Sequence, residues 1–225
     1  MKRFCLFVAA TLLVVLVNGC ATAPAKKYFT LNYSPDPLSQ RLRQTAYPVT
    51  FRIREFNVEE AYARPQLVYR QSPYEVGYYY YRVWAIKPTR MITDLVIKHI
   101  ATVGLIDHVV RRMDEGFKPQ YDLTGVIEAL EEYDNDEVWF AHMALRLNLI
   151  RLSDNKTVYS RRFDKRKQVH QHEPEYVIRE LSEIMDMIMT EAVADIDQVL
   201  LQETSGTGSG AAASPETSLL EQADD

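Results

Sequence analysis

The fold of this chain is decided by residues 137–152, EVWFAHMALRLNLIRL. From Trp139 to Leu149 every second side chain is apolar, which is the period of a β-strand with one buried face. Residues 121–133 alternate in the same way and are joined to this run by a short polar turn. A second polar turn leads into a third alternating segment, residues 157–168. The three segments predict an antiparallel meander.

Shorter segments complete the predicted fold. Apolar residues recur at helical spacing after Pro88 and up to Gly104, and again after Pro174, so two helices are predicted. Together the elements predict a single α+β domain, with a largely antiparallel or mixed sheet and two main helices packed on one face. Additional strands are predicted at residues 28–33, 48–56, 66–70, 78–84 and 105–111.

The N-terminal residues have the pattern of a cleaved signal peptide. Lys2 and Arg3 precede Phe4–Val17, an uncharged and mostly apolar run. A helix of these 14 residues would be about 21 Å long, which is shorter than the ~30 Å hydrocarbon core of a bilayer. We therefore predict that residues 1–19 form a signal peptide that is removed from the mature protein.

Cys20 is the predicted site of lipidation. Val17 and Gly19 supply the branched and the small residue that a lipoprotein signal requires before its cysteine. Acyl chains on Cys20 would hold the protein on a membrane, because each buried CH₂ contributes about 0.8 kcal/mol. Residues 20–27 would then be the lipidated cysteine and its tether. Ala21 in place of Asp favours the periplasmic face of the outer membrane over the inner membrane; an ordinary secretory signal with an incidental cysteine is the alternative.

Composition excludes several classes of function. The chain has two cysteines, Cys5 in the signal segment and Cys20, so the predicted domain at residues 28–202 has no disulfide, thiol nucleophile or thiolate metal site. The whole chain has 26 Lys and Arg against 31 Asp and Glu, a net charge of −5; residues 21–202 have 24 against 26, and so balanced a body has no electrostatic footprint for nucleic acid. The acidic, low-complexity segment 203–225 is predicted to be disordered.

Three segments carry a family resemblance: YFTL at residues 28–31, RPQLVYR at 64–70 and YYRVWA at 80–85. In this order behind a lipidated cysteine, they resemble the ABC-type transport auxiliary lipoprotein family. The resemblance implies a non-catalytic periplasmic accessory subunit of an envelope lipid transport system. It also implies a partner, an MCE-domain protein that bridges the periplasm, and through it an inner-membrane permease and ATPase. The lipoprotein would dock that bridge at the outer membrane.

A run of tyrosines is the candidate site for contact with a partner protein or with lipid. Strand alternation predicts two of the four rings on each face of the strand. Tyrosine buries a large ring while keeping a polar tip, and it is enriched at interfaces. The alternative is that one face joins the core and the other faces solvent, with the tryptophan packing where the strand meets the helix. The candidate residues are Tyr78, Tyr79, Tyr80, Tyr81, Arg82 and Trp84.

Two further clusters have competing interpretations. His170, His172 and Glu173 suggest a metal site, but zinc needs three or four convergent ligands, and polar residues are expected before a helix. We therefore predict no metal. The basic run at residues 161–167 could orient the domain on anionic headgroups, or it could be a solvated sheet edge protected by charge.

Catalytic and nucleotide-binding motifs are absent from the sequence. There is no G-x-S-x-G elbow, no P-loop, no H-E-x-x-H and no G-x-G-x-x-G. We therefore predict no enzymatic activity and no cofactor. The alternative functions are a direct lipid-binding carrier and, with less support, a metal-dependent hydrolase that uses the two histidines. A homo-oligomer formed through the tyrosine-rich edge is a further alternative.

Overall fold

The computed structural model describes residues 24–37, 45–112, 116–134, 138–171 and 173–207. The predicted signal peptide, Cys20 and the segment beyond residue 207 lie outside the described residues. Within them, a curled sheet and two helices form one α+β domain, which confirms the predicted fold class and resolves the sheet as mixed.

The bounds of the elements follow the predicted order, with one short strand and one 3₁₀ turn in addition. The described strands are β1 (Lys27–Phe29), β2 (Tyr47–Ile53), β3 (Asn57–Val58), β4 (Gln66–Ser72), β5 (Glu75–Trp84), β6 (Ile106–Val110), β7 (Tyr121–Asp134), β8 (Trp139–Arg151) and β9 (Lys156–Gln168). The helices are α1 (Pro88–Val103) and α2 (Pro174–Thr207), and the 3₁₀ turn is Glu60–Tyr62.

Strand β7 organises the sheet. One of its edges pairs with β8 in antiparallel register from Tyr121 to Asp134, and β9 pairs antiparallel with β8 beyond it. The other edge of β7 pairs in parallel with three strands in turn, β2, β3 and β4. Strand β6 extends the sheet next to β2, while β5 pairs with β4 and β1 pairs with β5. Because β7 pairs with strands from both halves of the chain, it joins them into a single sheet.

Both helices pack on one face of this sheet. The alternating apolar residues of β8 point toward them, and the β8 residues from Met143 to Leu149 on that face are 0% exposed. Fully burying a Leu, Ile or Met side chain contributes about 1.5–3 kcal/mol, so each of these side chains stabilises the fold by about that amount. The helical side chains in the same core include Ile92, Val96 and Ile100 of α1 and Met185, Ile188 and Met189 of α2.

The ends of the helices have identifiable causes. Pro88 occupies the first turn of α1, and Gly104 ends it in the left-handed conformation at φ 64°. Helix α2 continues to Thr207, so the prediction that the tail is disordered from residue 203 is wrong for its first five residues. Glu203 forms an ion pair with Arg151 of β8, a tertiary contact that sequence patterning does not reveal.

The segment after β1 leaves the sheet earlier than predicted. Residues 28–33 were expected to form one strand, but pairing ends at Phe29 and the chain then crosses the two helices. The Leu31 amide donates to Sδ of Met91 on α1 at 3.3 Å, and the Asn32 amide donates to Oγ of Ser182 on α2 at 3.1 Å. Residues 30–33 therefore bridge the two helices.

Tyr33 completes this bridge through a buried histidine. Its hydroxyl lies within hydrogen-bond distance of Nδ1 of His99 on α1, at 3.1 Å, and its carbonyl accepts from Lys98 at 3.0 Å. Burial lowers the pKa of His99 to about 4, although the nearby charge of Asp186 opposes the shift. His99 is therefore neutral at neutral pH and able to accept this hydrogen bond.

Candidate functional site

The three segments that carry the family resemblance meet at one corner of the sheet. The Trp84 amide donates to the carbonyl of Pro65 at 2.6 Å, and the Ala85 amide donates to the carbonyl of Phe29 at 2.7 Å. Residues far apart in the chain are thus joined by main-chain hydrogen bonds where β5 ends and the chain enters α1. This corner is the first candidate contact surface.

A groove of about 530 Å³ lies at this corner, and we call it the motif groove. Trp84 forms part of its wall but is only 6% exposed, so its ring packs where the strand meets the helix. Ile86 lies in the groove with 42% of its surface exposed. The residues that line the motif groove are Glu55, Val58, Ala63, Arg64, Pro65, Trp84, Ala85, Ile86, Lys87, Pro88 and Thr89.

Exposure along the tyrosine run alternates as strand geometry predicts. Tyr78 and Tyr80 are 36% and 75% exposed, whereas Tyr79 and Tyr81 are half-buried. The pairing with β4 is irregular at this point, because the register shifts between Tyr78 and Val83. The bulged strand brings the rings of Tyr80 and Tyr81 into edge-to-face contact, with centroids 4.7 Å apart.

Tyr79 is tied to the interior and is the least available of the four rings. Its hydroxyl donates to Glu132 at 3.0 Å, and the same carboxylate accepts from Nε1 of Trp139 at 2.7 Å. Arg82 stacks over the Tyr79 ring at 4.5 Å from its centroid. Burial, followed by the charge of Glu132 and the hydrogen bond to it, raises the pKa of Tyr79. These contacts therefore hold Tyr79 and Arg82 of β5 against the neighbouring strands of the sheet.

A second groove, of about 390 Å³, lies on the outer side of the tyrosine run, and we call it the tyrosine groove. On one side it is lined by residues 79–82, and on the other by Pro24, Ala25 and Lys27. The segment that leads from the predicted lipidation site therefore packs directly beside the predicted contact residues. The sequence placed both features in the chain but gave no signal that they are neighbours in space.

Sequence reasoning missed a buried polar network on the sheet face opposite the helices. Glu131 of β7 is 3% exposed and accepts hydrogen bonds from Tyr62 at 2.6 Å and from Nε of Arg70 at 3.0 Å. It also contacts Nδ1 of His142 at 2.9 Å, and Nε2 of His142 lies 2.9 Å from Asp164. The network therefore crosses four strands, from β4 through β7 and β8 to β9.

The two adjacent glutamates of β7 have opposite pKa shifts. Burial by itself raises the pKa of Glu131, but hydrogen bonds from His142 and Tyr62 and the charge of Arg70 outweigh it and hold the pKa below the ordinary value. Burial dominates at Glu132 and raises its pKa, despite hydrogen bonds from Tyr79 and Trp139. Glu131 is thus an ionised acceptor at the centre of a structural network.

The other predicted clusters are placed as follows. His172 lies outside the described residues, and among those described no group of three His, Cys, Asp or Glu side chains could hold a metal ion.

The basic run of β9 is paired with α2: Arg161 contacts Asp195 at 2.7 Å and Glu191 at 2.8 Å, and Lys165 contacts Glu191 at 2.5 Å. Of the two interpretations of this run, the structure favours the charge-protected edge.

Comparison with known proteins identifies the family. The family model described as "ABC-type transport auxiliary lipoprotein component" matches residues 29–193. The chain belongs to this family. It is therefore a lipoprotein accessory component of ABC-type transport, as the three sequence segments indicated. No curated protein matches the chain.

Two solved structures share the fold of this family member. The crystal structure of protein XCC0632 from Xanthomonas campestris superposes with a TM-score of 0.67 at 19% identity, covering 80% of this chain and 99% of that one. A crystal structure of an uncharacterized protein superposes with a TM-score of 0.56 at 10% identity, covering 79% and 99%. At these identities the likeness concerns the fold. None of the helices in the described residues has the length and apolarity needed to cross a bilayer.

Proposed function

We propose that this lipoprotein, acylated on Cys20 and held at the periplasmic face of the outer membrane, is a non-catalytic accessory subunit of an MCE-associated envelope lipid transport system. It docks the component that spans the periplasm, and through it acts with the inner-membrane permease and ATPase. The proposal rests on the family match over residues 29–193, directly downstream of the lipoprotein signal.

The short tether supports a docking role. Only Ala21, Thr22 and Ala23 separate Cys20 from Pro24, where the described chain begins. Four residue steps span at most about 14 Å, so the domain stays beside the membrane that holds the acyl chains. A domain held this closely suits an attachment point for a large assembly better than a carrier that diffuses between membranes.

The motif groove is the proposed attachment point for the partner. It combines an exposed aliphatic side chain, Ile86, with the charged rim residues Arg64, Lys87 and Glu55. Apolar anchors surrounded by charged or polar rims are typical of protein–protein contact sites. The family motifs converge on this groove, while the rest of the helix-covered sheet face is occupied by the core. An extended or helical segment of the MCE-domain partner is the proposed occupant.

Affinity purification from native membranes tests the proposal as a whole. Tagged wild-type protein is expected to fractionate with the outer membrane and to recover an MCE-domain protein, a permease and an ATPase. Cys20→Ser is the matched control, because it blocks acylation without altering the domain, and it is expected to lose both the fractionation and the recovery. Wild-type protein that recovers none of the three components would contradict the proposal.

A pair of surface substitutions tests the attachment point. Ile86→Asp places a charge in the motif groove and is expected to abolish recovery of the partner. Met187→Asp is the matched control, since Met187 is similarly exposed at 49% but lies on α2 outside the groove. Equal recovery with both variants would exclude the motif groove as the contact surface. Detergent sensitivity of cells carrying each variant provides the functional readout.

A further inference from the structure

The tyrosine groove has features of a membrane-contact surface. We propose that this groove, together with the exposed Tyr28 on the neighbouring strand β1, rests in the headgroup layer of the same phospholipid leaflet that holds the acyl chains of Cys20. This inference rests on the proposed acylation and adds a defined orientation: the β1–β5 edge of the sheet faces the bilayer.

Chain length is the first argument. Pro24 and Ala25 line the groove, and Cys20 precedes Pro24 by four residues. The backbone of an acylated cysteine lies in the headgroup layer, because its acyl chains are in the hydrocarbon core. The groove can therefore be no more than about 14 Å of extended chain from that layer.

Side-chain chemistry is the second argument. Tyr80 is 75% exposed and Tyr28, on the neighbouring strand β1, is 67% exposed. Exposed tyrosines are costly in water but suited to the interface of a bilayer, where the ring meets acyl chains and the hydroxyl meets headgroups. Lys27 and Arg82 add two cations to the groove, and no carboxylate is among the described residues that line it. Lys27 also lies 3.9 Å from Glu175 of α2, but both side chains of this pair are largely exposed, so the Lys27 charge remains accessible to headgroups. This charge matches anionic phospholipid headgroups.

The backbone of β5 supplies a third argument. In the described part of the chain, β1 covers the outer edge of β5 only from Arg82 to Trp84. The edge beside Tyr78–Tyr81 therefore presents main-chain N–H and C=O groups outward. Headgroup phosphates and interfacial water can satisfy these groups, whereas they would be unsatisfied in the hydrocarbon core. The geometry thus fits the headgroup layer and excludes deeper insertion.

Environment-sensitive labelling of the acylated, full-length protein tests the inference. The processed chain has no cysteine apart from Cys20, which is blocked by acylation, so Tyr80→Cys provides a single site for an NBD label. Tyr74→Cys is the matched control: Tyr74 is 97% exposed, and it lies in the turn that precedes β5, up to about 20 Å of extended chain from Tyr80. Tyr28→Cys is a second reporter on the neighbouring strand.

The labelled proteins are reconstituted into vesicles of phosphatidylethanolamine and phosphatidylglycerol. At positions 80 and 28 the NBD emission is expected to shift to the blue and to be quenched by lipids carrying a nitroxide near the headgroup. At position 74 the emission is expected to match that in water, with severalfold weaker quenching. Unchanged thermal unfolding of each variant establishes that the labels report on the folded domain.

Three other outcomes would overturn the inference. If the protein floats with the vesicles but all labels remain in water, the groove does not contact lipid, although the anchor stands. If the protein does not float and mass analysis shows no acyl chain on Cys20, the proposed anchor and this orientation both fail. If two Tyr80→Cys chains form a disulfide-linked dimer in the membrane, a second copy of the chain occupies the edge.

Discussion

Two edges of the sheet, one at β9 and one at β5, are built from opposite kinds of residue. The β9 edge is charged: Arg161 and Lys165 pair with Glu191 of α2, and Arg162 on the other face pairs with Asp164 at 2.8 Å. The β5 edge has four consecutive tyrosines and is covered only at one end, by β1. A densely charged edge discourages pairing with another strand, whereas an edge of consecutive aromatic residues is available for contact.

This difference indicates which edge of the domain is shielded from contact with other molecules and which edge is open to it. On β9, ion pairs to α2 satisfy the charges internally, so the edge needs no external partner. On β5, protection depends on neighbours outside the sheet, and the segment at Pro24 and Ala25 supplies only part of it. Function is therefore expected at the aromatic side of the molecule, and the charged side is expected to be structural.

The largest loss of stability is expected from breaking the Glu131 network, which lies between the β9 and β5 edges. Glu131→Ala leaves Arg70, His142 and Tyr62 without their shared acceptor and is expected to lower the free energy of unfolding by about 3–5 kcal/mol, as for a broken buried ion pair. Urea unfolding at pH 7 measures this loss. Glu128→Ala is the control, because Glu128 binds only partly exposed arginines and should cost about 1 kcal/mol or less.

The pH dependence of the free energy of unfolding, compared between wild type and Glu131→Ala, tests the cause of this loss. The native pKa of Glu131 lies below the ordinary value of 4.5, so its stabilisation is complete above pH 4.5 and is lost as the pH falls through the native pKa. The difference between wild type and Glu131→Ala should therefore narrow below pH 4.5. A difference that stays constant to low pH would show that ionisation of Glu131 is not the cause.

The next largest loss of stability is expected from substituting one of two glycines in the sheet. A Cβ on Gly125 of β7 would collide with the ring of Phe56, which is 2% exposed and cannot move aside, so Gly125→Ala is expected to cost about 1–3 kcal/mol. A Cβ on Gly77 of β5 would collide with Tyr69, whose half-buried ring can swing outward. Gly77→Ala is expected to cost about 0.5 kcal/mol or less. Thermal unfolding compares the two, and equal losses would mean that the aromatic edge is as rigid as the core.

The ion pairs of the charged edge give the smallest effect. The double variant Arg161→Ala and Lys165→Ala removes the contacts to Glu191 and Asp195 and is expected to cost about 1 kcal/mol, because these side chains are partly exposed. The loss should disappear near 1 M salt, where the screening length is about 3 Å. Unfolding at low and high salt makes the comparison. A loss that persists at high salt would point to packing of the aliphatic stems.

Most of the fold was predictable because the apolar residues of its main elements recur at the regular spacing of a strand or of a helix. Residues 139–149 alternate without interruption, and Pro88 and Gly104 mark the ends of α1 by their own backbone preferences. The predictions that differ from the structure depend on tertiary contacts. Residues 30–33 leave the sheet because Met91 and Ser182 accept their amides, and the end of α2 is extended past residue 202 beside Arg151.

The candidate sites were predictable only as separate lists of residues. The tyrosine run and the family motifs stand out by composition, but their arrangement into two grooves depends on parallel pairing of β1 with β5, which no local pattern encodes. The network around Glu131 gave no signal at all. His142 falls among the apolar residues of β8, and its partners come from two other strands, Glu131 from β7 and Asp164 from β9.

The passage of residues 30–33 across both helices has a mechanical consequence. A pull applied to the chain ahead of Pro24 passes first through β1, whose main chain is bonded to β5 and Ala85, and then into hydrogen bonds with α1 and α2 at once. Because the load is shared by the sheet and both helices, we expect tension at the membrane to move the domain as a whole before it separates β1 from β5.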